Sequence, residues 1–158
     1  GSELSGYGAS RADLFNGALV IVTPTERTDP LALKRVSEFW EALGARVSAM
    51  DPEDHDRAVA AVSHLPHLAA YALVEAVVRL NPAFFGVAAR GFKDTTRIAA
   101  SDARMWREIF QSNRAALREA LAAFRTSLEE LEQLVAQDDG ERLELKLEGI
   151  RQWRNRLE

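Results

Sequence analysis

The sequence predicts a mainly α-helical chain opened by a short β-α-β unit. Three observations carry that prediction. Two strand-like segments near the start, Ala18 to Thr23 and Ala45 to Met50, flank one helix. From Asp51-Pro52 onward every patterned segment follows helical periodicity, and nothing reads as strand. Finally, Leu117, Leu121, Phe124, Leu128, Leu131 and Val135 recur at spacings of four and three, an amphipathic stripe of several turns.

Taken in order, both strand segments are bounded by turn formers, and the helix between them starts where Asp29 offers an N-cap and Pro30 a preset first position. Leu33, Val36, Phe39, Trp40 and Leu43 mark its apolar face, and Gly44 ends it. Strand, helix, strand forms a right-handed crossover, yet two parallel strands alone make a poor sheet, so this unit is expected to seek further strands. Asp51-Pro52 repeats the cap-and-proline start. The helix it opens runs to Leu80 and is apolar nearly all round beyond Val62, which predicts a central helix buried on most sides. Asn81-Pro82 breaks it, a short Phe84-Phe85 segment follows, and Arg90-Gly91 opens a loop leading to Ser101-Asp102, the cap of the next helix. That helix carries the stripe and ends at Asp138-Asp139-Gly140. A last helix with Leu143, Leu147, Ile150 and Leu157 is expected to pair antiparallel with it. The stripe fits either a monomer core or a seam between two subunits.

A chain of 158 residues, 47% hydrophobic and 28% charged, has the composition of a globular domain with a core. Its 24 acids outweigh 20 bases for a net charge of −4, and the bases are scattered, which argues against a nucleic-acid partner. No apolar run reaches the roughly 18 to 20 residues of a membrane span, and no secretory pattern opens the chain. A cytoplasmic protein without a membrane partner is therefore expected. The absence of cysteine excludes disulfides, thiolate metal sites and a cysteine nucleophile.

Two groups of residues offer chemistry. His55, His64 and His67 are the only histidines and fall on one helix, with His64 and His67 sharing a face. The nearby acids, Asp54 and Asp56, are more than two turns away, so no metal site is expected. The pair reads either as satisfied core or surface histidines or as part of a site. Pro66 between them favours a site, because an interior proline frees a carbonyl and bends an apolar helix at a polar point. The second group, Gly91-Phe92-Lys93-Asp94-Thr95-Thr96-Arg97, places two cations, an acid and two hydroxyls in the expected loop. Arginine's planar fork and lysine's point charge suit a carboxylate ligand; a solvated loop with Asp94 paired to Lys93 or Arg97 fits as well. No glycine-rich phosphate loop follows a strand, and Ser5 and Ser63 lack the elbow spacing of a hydrolase nucleophile.

Read together, Gly1 to Gly6, Ala18 to Pro24, His55-Asp56, Ser63-His64-Leu65-Pro66-His67, Gly91 to Ala99 and Trp106 resemble the prephenate and arogenate dehydrogenase family over nearly the whole chain. The most specific element is Ser-His-Leu-Pro-His followed further on by Gly-Phe-x-Asp-x-Thr-Arg. The resemblance implies a fold in which residues 1–51 are the end of a nucleotide-binding Rossmann domain and residues 52–158 an all-helical substrate-binding and dimerisation domain. It implies NAD(P)-dependent oxidative decarboxylation of prephenate to 4-hydroxyphenylpyruvate in tyrosine biosynthesis, with arogenate the other substrate of the family and tyrosine a candidate effector.

By the same resemblance, Arg97 binds a substrate carboxylate, His67 contacts substrate or tyrosine, His64 neighbours it, and Lys93, Asp94 and Glu3 form a polar group that gates the pocket. Trp106 matches a tryptophan contributed across the dimer, though its pattern also fits a core aromatic. Arg90 stands where many relatives have glycine, which adds a cation beside the pocket. The family's catalytic histidine belongs to a His-Pro-x-x-Gly stretch whose glycine aligns with Gly1. This chain is thus expected to lack a catalytic residue, to bind no cofactor, to be inactive alone and to form a homodimer or higher even oligomer, with strands swapped between copies. The alternative is a non-catalytic helical interaction module.

Overall fold

The computed structural model describes residues 6–137 and 139–157. The chain folds as two compact units, one up to Val59 and one from Ala60 onward.

In the first unit, β1 (Leu19–Val22) and β2 (Arg46–Ala49) pair in parallel, with Val20 opposite Val47 and Val22 opposite Ala49. Amide bonds from Arg46 to the Ala18 carbonyl (2.8 Å) and from Met50 to the Val22 carbonyl (3.0 Å) extend the ladder at both ends. Between them, α1 (Pro30–Ala42) starts where the Asp29 carboxylate accepts the Leu31 amide at 3.0 Å, as the cap-and-proline pattern predicts. Trp40 lies edge-on to Phe15, with ring centroids 5.1 Å apart.

Gly44 follows α1 at φ +85°, and its carbonyl accepts the Gly17 amide at 2.8 Å. A Cβ there would stand 3.2 Å from Asn16 Oδ1, so both backbone and neighbour oppose any side chain. Gly44→Ala is expected to destabilise this unit by about 1 kcal/mol or more in chemical denaturation. An unchanged midpoint would contradict the left-handed assignment.

α2 (Pro52–Val59) is capped by Asp51, whose Oδ1 accepts the Glu53 amide at 2.8 Å. The second unit opens with a π-helical segment, Ala60–His64, followed by α3 (Leu65–Leu80). Asn81 caps a 3-10 turn, Pro82–Val87, by accepting the Ala83 amide at 2.9 Å. Then come α4 (Arg90–Thr96), a second 3-10 turn (Arg97–Ala100), α5 (Ala103–Ser112), α6 (Arg114–Ala136) and α7 (Gly140–Arg154). α3 is the hub, packing against the π segment, α4, both 3-10 turns and α6. Lys146 on α7 reaches Glu130 on α6 at 2.7 Å. The two lie equally far from the turn between the helices, as an antiparallel hairpin requires.

Three expectations need correction. Residues 90 to 97 are not a loop but a helix continued by a 3-10 turn. The Thr95 and Thr96 hydroxyls donate to the carbonyls one turn back (2.8 and 2.7 Å), and Asp94 pairs with Arg90 at 3.3 Å rather than with Lys93. The helix expected to run from Asp102 to the Asp138 turn is two helices, broken at Asn113 (φ −112°, ψ 37°).

The third correction concerns burial. Pro52 to Leu80 is helical throughout, but of its residues only Ala60 and Ala70 are buried, while Val62 is 77% exposed. The elements packed on α3 leave Leu73, Val78 and Leu80 exposed as well. By length and composition this 29-residue stretch is also long and apolar enough to cross a membrane, with a mean hydropathy of 1.3 over 18 residues. Runs of alanine, leucine and valine, diluted by few charges, raise the average without an unbroken apolar run.

Candidate functional site

The site is built where α3 meets α5 and α6. Pro66 has no amide hydrogen to return to the preceding turn, and the backbone ahead of it widens into the π segment. The residues on either side of that irregularity are His64 and His67.

His67 Nδ1 lies 3.0 Å from the Ser63 carbonyl. A carbonyl only accepts, so Nδ1 carries the hydrogen, and in the neutral ring Nε2 is left as an acceptor. The imidazole stacks on the indole of Trp106, with centroids 3.5 Å apart and planes 21° from parallel. His64 meets the same indole edge-on at 6.3 Å, and Asn113 Nδ2 donates to its Nδ1 at 3.4 Å. The Asn113 that breaks the α5–α6 helix is thus turned toward the histidine pair. Phe110 completes the aromatic group at 5.4 Å from Trp106.

Trp106 is buried, and its Nε1 has no hydrogen-bond partner among the described residues. A buried donor left unpaired costs about 1 to 3 kcal/mol. A cavity of about 350 Å³, lined by Tyr71, Ala103, Trp106, Arg107, Phe110 and Gln111, opens beside the indole. Tyr71 is held by donating to the Ser101 carbonyl at 3.2 Å. Trp106→Ala is expected to cost about 3 to 5 kcal/mol of stability, while Trp106→Phe, which keeps a ring on His67 and deletes the unpaired donor, costs far less. Equal losses in denaturant titrations would mean that the indole nitrogen is satisfied.

The cationic group lies on the neighbouring elements. Arg90, Lys93, Asp94 and Arg97 stand at i, i+3, i+4 and i+7, and Arg97 keeps helical angles (φ −49°, ψ −43°), so the four share a face of α4 and its continuation. All four are exposed. Both α4 and the 3-10 turn that Arg97 opens pack against α3, the helix of His67. Arg97 itself has a polar or ionic partner.

The structure thus joins His64, His67 and Trp106 in one cluster and places Lys93, Asp94 and Arg97 together on another face. The predicted Glu3 lies outside the described residues. His55 belongs to the first unit, where it pairs with Asp56 at 3.1 Å. Sequence reasoning missed Asn113, Tyr71 and Phe110. Extending the Leu117 stripe backward at spacings of four and three reaches Asn113, Phe110 and Trp106, the available signal for the first and third; nothing marked Tyr71. Among the described residues no three His, Asp or Glu side chains gather to hold a metal. The strongest shift in acidity lies on α7, where hydrogen bonds from Arg151 and then Gln152 hold the Glu148 carboxyl down to about 2.

Residues 51–148 match the family model described as the prephenate dehydrogenase dimerization domain, and residues 1–49 match that of the prephenate dehydrogenase nucleotide-binding domain. A cyclohexadienyl dehydrogenase of Zymomonas mobilis is 36% identical over 147 residues, covering 90% of this chain and 50% of that protein. The chain therefore spans about half the length of this curated relative. Among solved structures, prephenate dehydrogenase from Aquifex aeolicus in complex with hydroxyphenyl propionate and NAD+ superimposes with a TM-score of 0.94 at 40% identity, covering 100% of this chain and 56% of that one. Synechocystis arogenate dehydrogenase superimposes at 0.89 with 29% identity, covering 100% and 59%.

Proposed function

Since the chain belongs to the prephenate dehydrogenase family, we propose that it supplies the substrate-binding and dimer-forming part of an NAD(P)-dependent enzyme that converts prephenate oxidatively to 4-hydroxyphenylpyruvate in the cytoplasm. The observation that supports this best is the His67–Trp106 stack beside a π segment, with a cationic helix face packed on the same α3. Aromatic walls, one fixed acceptor and paired cations suit a small ring carrying a hydroxyl and carboxylates.

In this reading Arg97 forks onto a substrate carboxylate. Lys93 adds a point charge beside Asp94. His67, its tautomer fixed by the Ser63 carbonyl, offers Nε2 as an acceptor to the substrate's one donor, its ring hydroxyl, with His64 beside it. Trp106 covers the ring and offers its unpaired Nε1 hydrogen. Tyrosine, which shares the ring and a carboxylate with the substrate, would compete for the same groups.

A nicotinamide held by a complete nucleotide-binding domain would supply the acceptor for the hydride that the substrate's alcohol carbon gives up, with carbon dioxide lost as the ring becomes aromatic. The turn from β1 to α1, Thr23 to Asp29, contains no glycine to bring backbone amides against a pyrophosphate. We therefore assign hydride transfer to a complete nucleotide-binding domain and read this chain by itself as inactive. The test is turnover of prephenate with NAD+ or NADP+ by the chain alone and by the chain joined to such a domain. Turnover only in the second case is expected, and none in either would return the helical interaction module as the better reading.

A further inference from the structure

We propose that Arg90 sets the ligand preference of the α4 face by occupying Asp94, biasing it toward a ligand with two carboxylates and no ammonium group. This rests on the functional reading above. Asp94 is the one acid among Arg90, Lys93, Asp94 and Arg97 on that face. The hydroxyls of Thr95 and Thr96 are committed to their own helix, so the charges decide what the face attracts. An unpaired Asp94 would repel ligand carboxylates and draw an ammonium. The Arg90 guanidinium, with Nε 3.3 Å from Asp94 Oδ2 across one helical turn, reduces that field and so strengthens the positive field of Lys93 on the same face. A 2-oxo dicarboxylate then gains over its amino-acid counterpart; in substrate terms, prephenate gains over arogenate. Arg90 is a positioning residue that acts through Asp94. Both side chains are well exposed, at 94% and 67%, so water screens the effect to a modest size.

The experiment measures dissociation constants for prephenate and arogenate by calorimetry, on the chain joined to a complete nucleotide-binding domain, at low and high salt. Arg90→Gln is expected to shift the ratio of the two constants toward arogenate by about two- to fivefold, with less shift at high salt. Arg90→Lys should restore most of the preference, and in an Asp94→Asn background Arg90→Gln should change nothing further. An unchanged ratio overturns the proposal. So does an equal shift in the Asp94→Asn background, since Arg90 would then act on the ligand directly. A parent protein that binds neither compound overturns the functional reading itself, and the inference with it.

Discussion

Arg97→Ala is expected to lower kcat/KM for prephenate on the order of ten- to a hundredfold in the assembled enzyme, chiefly through KM, while the fold survives. A hydrogen bond to a charged group is worth about 1.5 to 3 kcal/mol, and each 1.36 kcal/mol is a factor of ten. Arg97 is exposed at the start of the 3-10 turn, so truncating it opens no cavity. What it loses in stability is an exposed interaction, less than about 1 kcal/mol. Arg97→Lys keeps the charge without the planar fork and should recover only part of the loss. Steady-state kinetics beside a thermal melt separate the outcomes. Near-normal turnover by the alanine variant would remove Arg97 from the site. A large drop in melting temperature would make its role structural.

Local chemistry was legible in the sequence, and packing was not. The caps at Asp29, Asp51 and Asp102 follow from a carboxylate just before a helical pattern, and each accepts a backbone amide of the first turn. Gly44 could be read for the same reason, since left-handed backbone after a helix is a local demand. The helix at Arg90–Thr96 could not. Glycine and two threonines speak against it, and what holds it is contact with α3 and the Phe85–Phe92 ring pair at 5.9 Å. Among the candidate site residues, the shared face of His64 and His67 was written in their spacing. Their meeting with Trp106 depends on where α5 returns to α3, which no short pattern encodes. The π segment also has no sequence signature beyond Pro66, and the register it imposes brings the Ser63 carbonyl to His67.

The isolated chain, finally, is expected to be a dimer or larger even assembly, and Leu128→Glu is expected to weaken that assembly by about two to four orders of magnitude. The buried hydrophobic residues of the described structure are Ala45, Ala60, Ala70, Trp106 and Leu117, too few to balance chain entropy. The α6 stripe leaves the core as it goes: Leu117 is buried, Leu128 is 54% exposed and Val135 67%. The exposed apolar face of Pro52–Leu80 adds to the same demand for a covering surface. A second copy meets it without lipid. In a two-fold interface every substitution counts twice, so losing a buried leucine at about 1.5 to 3 kcal/mol per subunit becomes about 3 to 6 kcal/mol per dimer. Light scattering over a concentration series, without detergent, reads the mass directly. A parent chain that stays monomeric throughout, or binds to neutral lipid vesicles, would show that α6 is not a subunit seam. An oligomer indifferent to Leu128→Glu would move the seam to the remaining apolar surface of α3.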